Sequence, residues 1–168
     1  MKTKITILIL FAFLGLRVDG QFTQQGMKLI GSGAINSPVP AGQGGSVSIS
    51  ADGNTAIVGG ADDNNNIGAA WIYTRDGGVW NQQGLKLIGT GAVNSPYPAQ
   101  QGISVAISGD GNTAIIGGNI DNNQTGSAWI FIRENGIWTQ QGNKLVGSGY
   151  VGGAQQGISV GLLRFDGC

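Results

Sequence analysis

The chain has 168 residues, of which 40% are hydrophobic and only 11% charged, and its formal net charge is zero. This charge balance gives no basic surface for nucleic acid and no polybasic patch for an anionic membrane. The 32 glycines and the regularly spaced apolar runs indicate an all-β protein rather than a disordered one.

Residues 1–20 have the pattern of a signal peptide. Two lysines precede an apolar run from Ile5 to Leu16, which is shorter than the roughly 20 apolar residues that span a membrane. We therefore predict cleavage before Gln21, and an uncleaved membrane anchor is the alternative. The expected location is secreted or extracellular, or periplasmic or cell-surface in a bacterium, with no membrane span after cleavage. Cys168 is the only cysteine, so no disulfide can form within the chain.

A 58-residue repeat organises the rest of the chain. Residues 24–80 align without a gap with residues 82–138, and 38 of the 57 aligned positions are identical. A third, partial copy begins at Gln140 and is three residues shorter. Such self-similarity is the mark of a repeat architecture. The predicted bounds are 21–168 for the whole repeat region, with copies at about 22–80, 81–138 and 139–168.

Each copy contains four runs with strand patterns. In the first copy, "SVSIS" at 46–50 alternates serine with apolar residues, which is the period of a half-buried strand. Asp52-Gly53 in the first copy and Asp110-Gly111 in the second predict structural hairpin turns, because glycine takes the positive φ that such turns need. The other three runs of the first copy are "NTAIVGG" (54–60), "AAWIYTR" (69–75) and "VWNQQGLKLIG" (79–89).

Two pairs of tryptophans recur at the 58-residue step. Trp71 and Trp129 lie in strictly alternating strands, so we expect them to pack between repeat units and to bury about 150–250 Å² each. Trp80 and Trp138 follow hairpin turns and are expected to be partly exposed. Stacking of carbohydrate on these exposed rings is the functional alternative.

The combined pattern "QGxSVxISxDGNTAIxGG…GxAWI" resembles the FG-GAP type of β-propeller repeat, which occurs in integrin α-chain heads and in secreted bacterial proteins. The resemblance implies four-stranded antiparallel blades, here about two complete blades with partial strands at each end. Four strands in each 58 residues are typical of a propeller blade. Gln43 and Gln101 stand where the family has phenylalanine, and the triplets at 59–61 and 117–119 stand where it has Gly-Ala-Pro.

The number of blades raises a question of closure. A propeller closes with about four to eight blades, and two complete sets of strands are present here. The partial strands expected at 22–30 and 158–163 would lack hairpin partners. Two explanations follow: the sequence is part of a longer propeller that supplies the missing blades, or several chains complete one ring as a homo-oligomer.

The segment "ADDNNNIG" (61–68) is a candidate calcium loop, because calcium prefers carboxylate and amide oxygens. The register common to both copies offers Asp63 and Asn65 in the first copy and Asp121 and Asn123 in the second. One carboxylate with a few amides makes at best a weak site. An ordinary polar loop is therefore the preferred interpretation, and no other cofactor is expected.

The residue types argue against an enzyme. The chain has no histidine and a single glutamate, Glu134, so neither a Ser-His-Asp nor a Cys-His group can be built. Asp63 and Asp121 offer a glycosidase-like pair of carboxylates, but residues one repeat apart are expected to lie more than about 10 Å from each other, too far for such a pair. No catalytic residue is therefore assigned.

These features predict a secreted, non-enzymatic repeat protein that serves as a scaffold for binding, adhesion or display. The resemblance to FG-GAP repeats implies that its partners are proteins or surface glycans. They are expected to bind loops at the ends of the sheets, where "NSPVPAGQ" (36–43) and "ADDNNNIG" (61–68) vary most between copies. A calcium-supported structural segment of a surface protein is the alternative, and a carbohydrate-active enzyme or a lectin is favoured less.

Overall fold

The computed structural model describes residues 23–163; the predicted signal peptide and Cys168 lie outside this range. All its strands pair antiparallel with their neighbours along the chain. The all-β prediction is confirmed. Within the same range, no helix is long and apolar enough to cross a membrane. The elements are β1 (Ser46–Ile49), β2 (Thr55–Gly60), α1 (Asp63–Asn66), β3 (Ala69–Asp76), β4 (Val79–Gln82), β5 (Ser104–Ile107), β6 (Thr113–Gly118), α2 (Asp121–Gln124), β7 (Ser127–Glu134) and β8 (Ile137–Gln140).

Each complete repeat forms one four-stranded sheet in which strand order follows chain order. The first sheet has the order β1-β2-β3-β4 and the second has the order β5-β6-β7-β8. The last predicted run, 79–89, is shorter than expected because β4 ends at Gln82. Gly84 then takes a φ of +74°, and the chain rejoins the sheet through an isolated bridge between Leu87 and Ala70. The partial strands expected at the ends are not formed within the described range.

The two sheets stack face to face and bury an apolar layer that we call the seam. On the side of the first sheet, Ile57 and Ile72 are fully buried. On the side of the second sheet, Val105 and Ile107 lose nearly all their exposure. The buried cluster that fills the seam consists of Ile57, Ala70, Ile72, Leu87, Ala99, Val105, Ile107, Ala114, Ile116, Trp129 and Phe131.

Equivalent residues of the two repeats have opposite burial. In β2, Ile57 is buried and Val58 is half-buried. In β6, the residue at the position of Ile57 is Ile115, which is half-buried, whereas Ile116 is buried. Side chains alternate between the two faces of a strand, and each sheet turns a different face to the seam. The context of the repeat, and not its sequence, therefore decides which face is covered.

Each strand tryptophan packs against the segment that leads into its own sheet. Trp71 is fully buried, and its Nε1–H donates to the carbonyl oxygen of Ser32 at 2.8 Å. The backbone of Gly31 lies so close to the indole ring that a Cβ there would overlap it. Trp129 repeats the arrangement, with its Nε1–H donating to Thr90 at 2.8 Å.

The asparagine-rich segments form single tight turns with left-handed backbone. In α1, Asn64 and Asn65 have φ values of 52° and 56°, and in α2 Asn122 and Asn123 have values of 50° and 54°. Asparagine enters the left-handed region at a lower cost than most other residues because its short polar side chain can hydrogen-bond locally. The sequence predicts a polar loop here, and the asparagines serve its backbone geometry.

Opposite burial of equivalent residues gives a matched test of the seam. We expect Ile57→Ala to lower the free energy of unfolding by about 2–5 kcal/mol, because it opens a cavity in a fully buried layer. Ile115→Ala removes the same atoms from a half-buried position, so its cost should be clearly smaller. Urea unfolding at low protein concentration measures both changes. Equal losses would contradict the described seam.

Candidate functional site

A buried ion pair fixes the loop between β2 and β3. The side chain of Asp63 is fully buried, and its Oδ2 lies 2.5 Å from Nζ of Lys86. Its Oδ1 accepts a hydrogen bond from the backbone N–H of Ile35 at 2.7 Å. One carboxylate therefore joins this loop to the segment that precedes the first sheet and to the segment that follows it.

The second repeat contains the same ion pair. Asp121 is fully buried and lies 2.5 Å from Nζ of Lys144. Its Oδ1 accepts from the backbone N–H of Val93 at 2.6 Å, and its Oδ2 accepts from the hydroxyl of Ser127. The two lysines were missed by sequence reasoning. A signal for them exists, because an aspartate and a lysine are 23 residues apart in both copies.

The candidate calcium ligands are not brought together. Asp63 and Asp121 point into the protein and have partners on both carboxylate oxygens, whereas Asn65 and Asn123 are exposed. Over residues 23–163, no group of three or more acidic, histidine or cysteine side chains is close enough to hold a metal ion. The geometry of these aspartates is that of a structural ion pair.

The Asp-Gly segments lie between the first two strands of each sheet. Ser50 donates from its hydroxyl to Oδ1 of Asp52 at 2.5 Å, and the backbone N–H of Asn54 donates to the same oxygen at 2.9 Å. These bonds, the serine first, lower the pKa of Asp52, and the equivalent bonds of Ser108 do the same for Asp110. The connection covers four residues between Ser50 and Thr55, which is longer than a two-residue hairpin loop.

The two outer tryptophans are half-buried and each is covered on one face by an arginine. The guanidinium carbon of Arg75 lies 5.4 Å from the ring centroid of Trp80, and Arg133 has the same distance to Trp138. This is the geometry of a cation–π contact. The arginine leaves the other face of each ring, so carbohydrate stacking on these tryptophans stays a prediction.

A cleft of about 270 Å³ opens where the loops of the two repeats meet. The backbone N–H of Gln100 donates to the carbonyl oxygen of Asn66 at 2.9 Å and so joins the two repeats beneath it. Tyr97 is 52% exposed, which leaves its ring and hydroxyl available to a ligand. The cleft is lined by Asn66, Tyr97, Pro98, Gln100, Ile120 and Gln124.

Most of the cleft lining differs between the two repeats. Tyr97, Gln100, Ile120 and Gln124 occupy positions that hold valine, glycine, aspartate and asparagine in the first repeat. Two-thirds of all aligned positions are identical, 38 of 57, so the cleft lining differs more often than the repeats as a whole. The structure thus places residues of both variable loops around one cleft. Nearby in the chain, Asn119 Oδ1 is the one buried side-chain oxygen that lacks a partner among residues 23–163.

Comparisons with known proteins give no family assignment. No protein-family model matches the chain. A search of curated proteins also finds no match.

The repeated ion pair predicts unequal roles for equivalent lysines. Lys86→Met leaves the carboxylate of Asp63 buried without its cation, so we expect the free energy of unfolding to fall by about 3–5 kcal/mol. Lys28 is the equivalent lysine of the first repeat; it is exposed and has no acidic partner in the described range. Lys28→Met should therefore change stability by less than about 0.5 kcal/mol.

Urea unfolding compares these two variants under the same conditions. Equal effects would show that the ion pair contributes nothing specific. A calcium-dependent gain in stability that Asp63→Ala removes would also contradict the structural role, because it would make this carboxylate a metal ligand.

Proposed function

We propose that this chain is a secreted, non-enzymatic binding scaffold of the β-propeller type, and that a surface ligand occupies the cleft between the repeat-end loops. The observation that carries the proposal is that most of the cleft lining around Tyr97 differs between the repeats. A scaffold keeps its packing positions and varies its ligand contacts, and loops held by rigid strands are the usual place for such contacts.

The propeller part of the proposal has two supports. Each 58-residue repeat forms one four-stranded antiparallel meander, which is the composition of a propeller blade. The sequence pattern also resembles FG-GAP repeats. Successive sheets stack through an apolar seam, as neighbouring blades do, and we therefore regard the two sheets as two blades.

The chemistry of the cleft favours a neutral glycan among the expected partners. None of its six lining residues is charged. Tyr97 offers an aromatic face and a hydroxyl on a side chain with few rotatable bonds, so binding costs little conformational entropy. The amides of Asn66, Gln100 and Gln124 can both donate and accept hydrogen bonds, which suits the hydroxyl groups of a sugar.

A non-enzymatic role is supported by the burial of two carboxylates and by their pairing with lysines. Asp63 and Asp121 are each buried against a lysine, and a general acid or base must instead reach its substrate within hydrogen-bond distance. Neither residue lines the cleft. The calcium-supported structural alternative receives less support, because both oxygens of each carboxylate already have partners.

The test replaces Tyr97 by the residue of the first repeat. The labelled chain is applied to an array of neutral and charged glycans and to a panel of extracellular proteins, and bound partners are titrated by calorimetry. We expect a neutral glycan to bind, and Tyr97→Val to raise its dissociation constant about tenfold or more. Tyr150→Val is the matched control, because Tyr150 is also exposed, at 45%, but lies outside the cleft.

Three results would count against the proposal. Binding that survives Tyr97→Val would place the site elsewhere on the surface. Binding to a protein but to no glycan would replace the ligand class. An absence of partners in both panels would contradict the scaffold function itself.

A further inference from the structure

One face of the first sheet is apolar. At β1, no described residue covers this face. Val47 and Ile49 of β1 are 67% and 56% exposed. Their equivalents in β5, Val105 and Ile107, are only 7% and 4% exposed because they lie in the seam. The same two residue types are thus exposed in one repeat and buried in the other. We call the surface around Val47 and Ile49 the first end face.

The second sheet has the opposite face uncovered. Leu145, which follows β8, is 52% exposed, whereas its equivalent Leu87 is 8% exposed in the seam. Ile130 of β7 is half-buried, and its equivalent Ile72 has no exposure. We call the surface around Ile115, Ile130 and Leu145 the second end face. The two end faces correspond to the two sides of the seam.

The hydrogen bonds across the seam show what the first end face lacks. In the seam, the backbone N–H groups of Gln100 and Gln101 donate to the carbonyl oxygens of Asn66 and Ile67, each at 2.9 Å. The equivalent N–H groups belong to Gly42 and Gln43. Neither has an acceptor within residues 23–163. Their geometry suits the carbonyl groups of a repeat-end loop such as the one that Asn66 belongs to.

We propose that the first end face of one copy of this chain docks on the second end face of another copy and reproduces the seam between molecules. The occupant is a second copy because the internal seam already pairs these two faces through nearly the same residues. This contact is heterologous, since different surfaces of the two copies meet. The proposal does not depend on glycan binding at the cleft.

Docking exchanges one terminal segment for its equivalent in the other copy. The carbonyl groups of Gln124 and Thr125 now accept from the N–H groups of Gln155 and Gln156 at 2.8 and 3.0 Å. In the assembly, Gly42 and Gln43 of the second copy provide these donors. The residues that must move away are 148–157, of which 148–154 are exposed and 155–157 are half-buried, and all belong to the shortened copy.

The segment that precedes the first sheet is displaced in the same manner by its equivalent in the other copy. Residues 23–30 are all exposed, and Gln25 Oε1 accepts from Nη1 of Arg75 at 3.1 Å. In the seam, Gln83 Oε1 accepts from Arg133 at the same distance. Gln141 is the next equivalent glutamine, and it reaches Arg75 of the docked copy in place of Gln25. The seam is therefore rebuilt with like residues.

The proposed blade count sets the size of the assembly. A heterologous contact that repeats in one sense gives either a closed ring or an open filament. Residues 23–163 of each copy provide two sheets, and closed propellers contain about four to eight. A closed ring of roughly two to four copies satisfies this range.

Sedimentation velocity of the purified full chain, over a series of concentrations, tests the proposal. We expect a discrete species of roughly two to four chain masses. The double variant Val47→Lys/Ile49→Lys places charges on the first end face, and it should raise the dissociation constant at least about tenfold. Ile137→Lys is the matched control, because Ile137 is 66% exposed and its equivalent Val79 stays 60% exposed beside the seam; it should leave association unchanged.

A mixing experiment tests the head-to-tail arrangement directly. Leu145→Lys alters only the second end face, so it should also weaken self-association. Each of the two face variants keeps one intact face, and the two intact faces are complementary. At a concentration at which each variant alone is monomeric, an equimolar mixture should therefore form a 1:1 dimer.

Several outcomes would overturn the proposal. They are a wild-type chain that stays monomeric, association that persists in both face variants, and a mixture in which no dimer forms. Far-UV circular dichroism of each variant verifies that loss of association is not loss of folding. Because Tyr97→Val leaves both end faces intact, failure of glycan binding and failure of assembly are separate results.

Discussion

The structure depends on a close approach of two backbones at the seam. A Cβ at Gly59, near the end of β2, would overlap the carbonyl oxygen of Gly102 in the next repeat. Gly102 has a φ of +85°, and a Cβ there would overlap the carbonyl oxygen of Ala69. Glycine at these positions lets the hydroxyl of Ser46 donate to Gly102 at 2.8 Å. The apolar faces of the two sheets then meet at packing distance and exclude water.

The candidate site is a consequence of this contact. Asn66 comes from the first repeat and Tyr97 from the second, so the cleft exists only where two repeats meet. The ion pair of Asp63 with Lys86 holds one wall by fixing the loop that contains Asn66. A buried pair of this kind gives little net stability when formed but a large loss when one partner is removed. It therefore acts mainly to position the loop.

The sequence predicts the parts of this fold that local patterns determine. Alternation in "SVSIS" and the Asp-Gly segments place β1, β2 and the connection between them. The ion pair was missed because Lys86 is 23 residues from Asp63, and two strands, β3 and β4, lie between them in the chain. The opposite burial of Ile57 and Ile115 cannot be read from the sequence, because their local sequences are nearly identical and only the neighbouring sheet differs. Side-chain chemistry alone likewise made the asparagine-rich loops candidate calcium sites. In the structure, these asparagines instead form a left-handed turn.

The free energy of unfolding of Gly59→Ala tests the close approach at the seam most directly. Replacement of a strand glycine by alanine normally raises the free energy of unfolding by about 0.5–1 kcal/mol. Overlap with the backbone of Gly102 should reverse the sign and cost about 1–3 kcal/mol. Gly161→Ala is the control, because a Cβ at Gly161 would meet no atom within 4 Å. A stability of Gly59→Ala equal to or above that of the wild type would contradict the account.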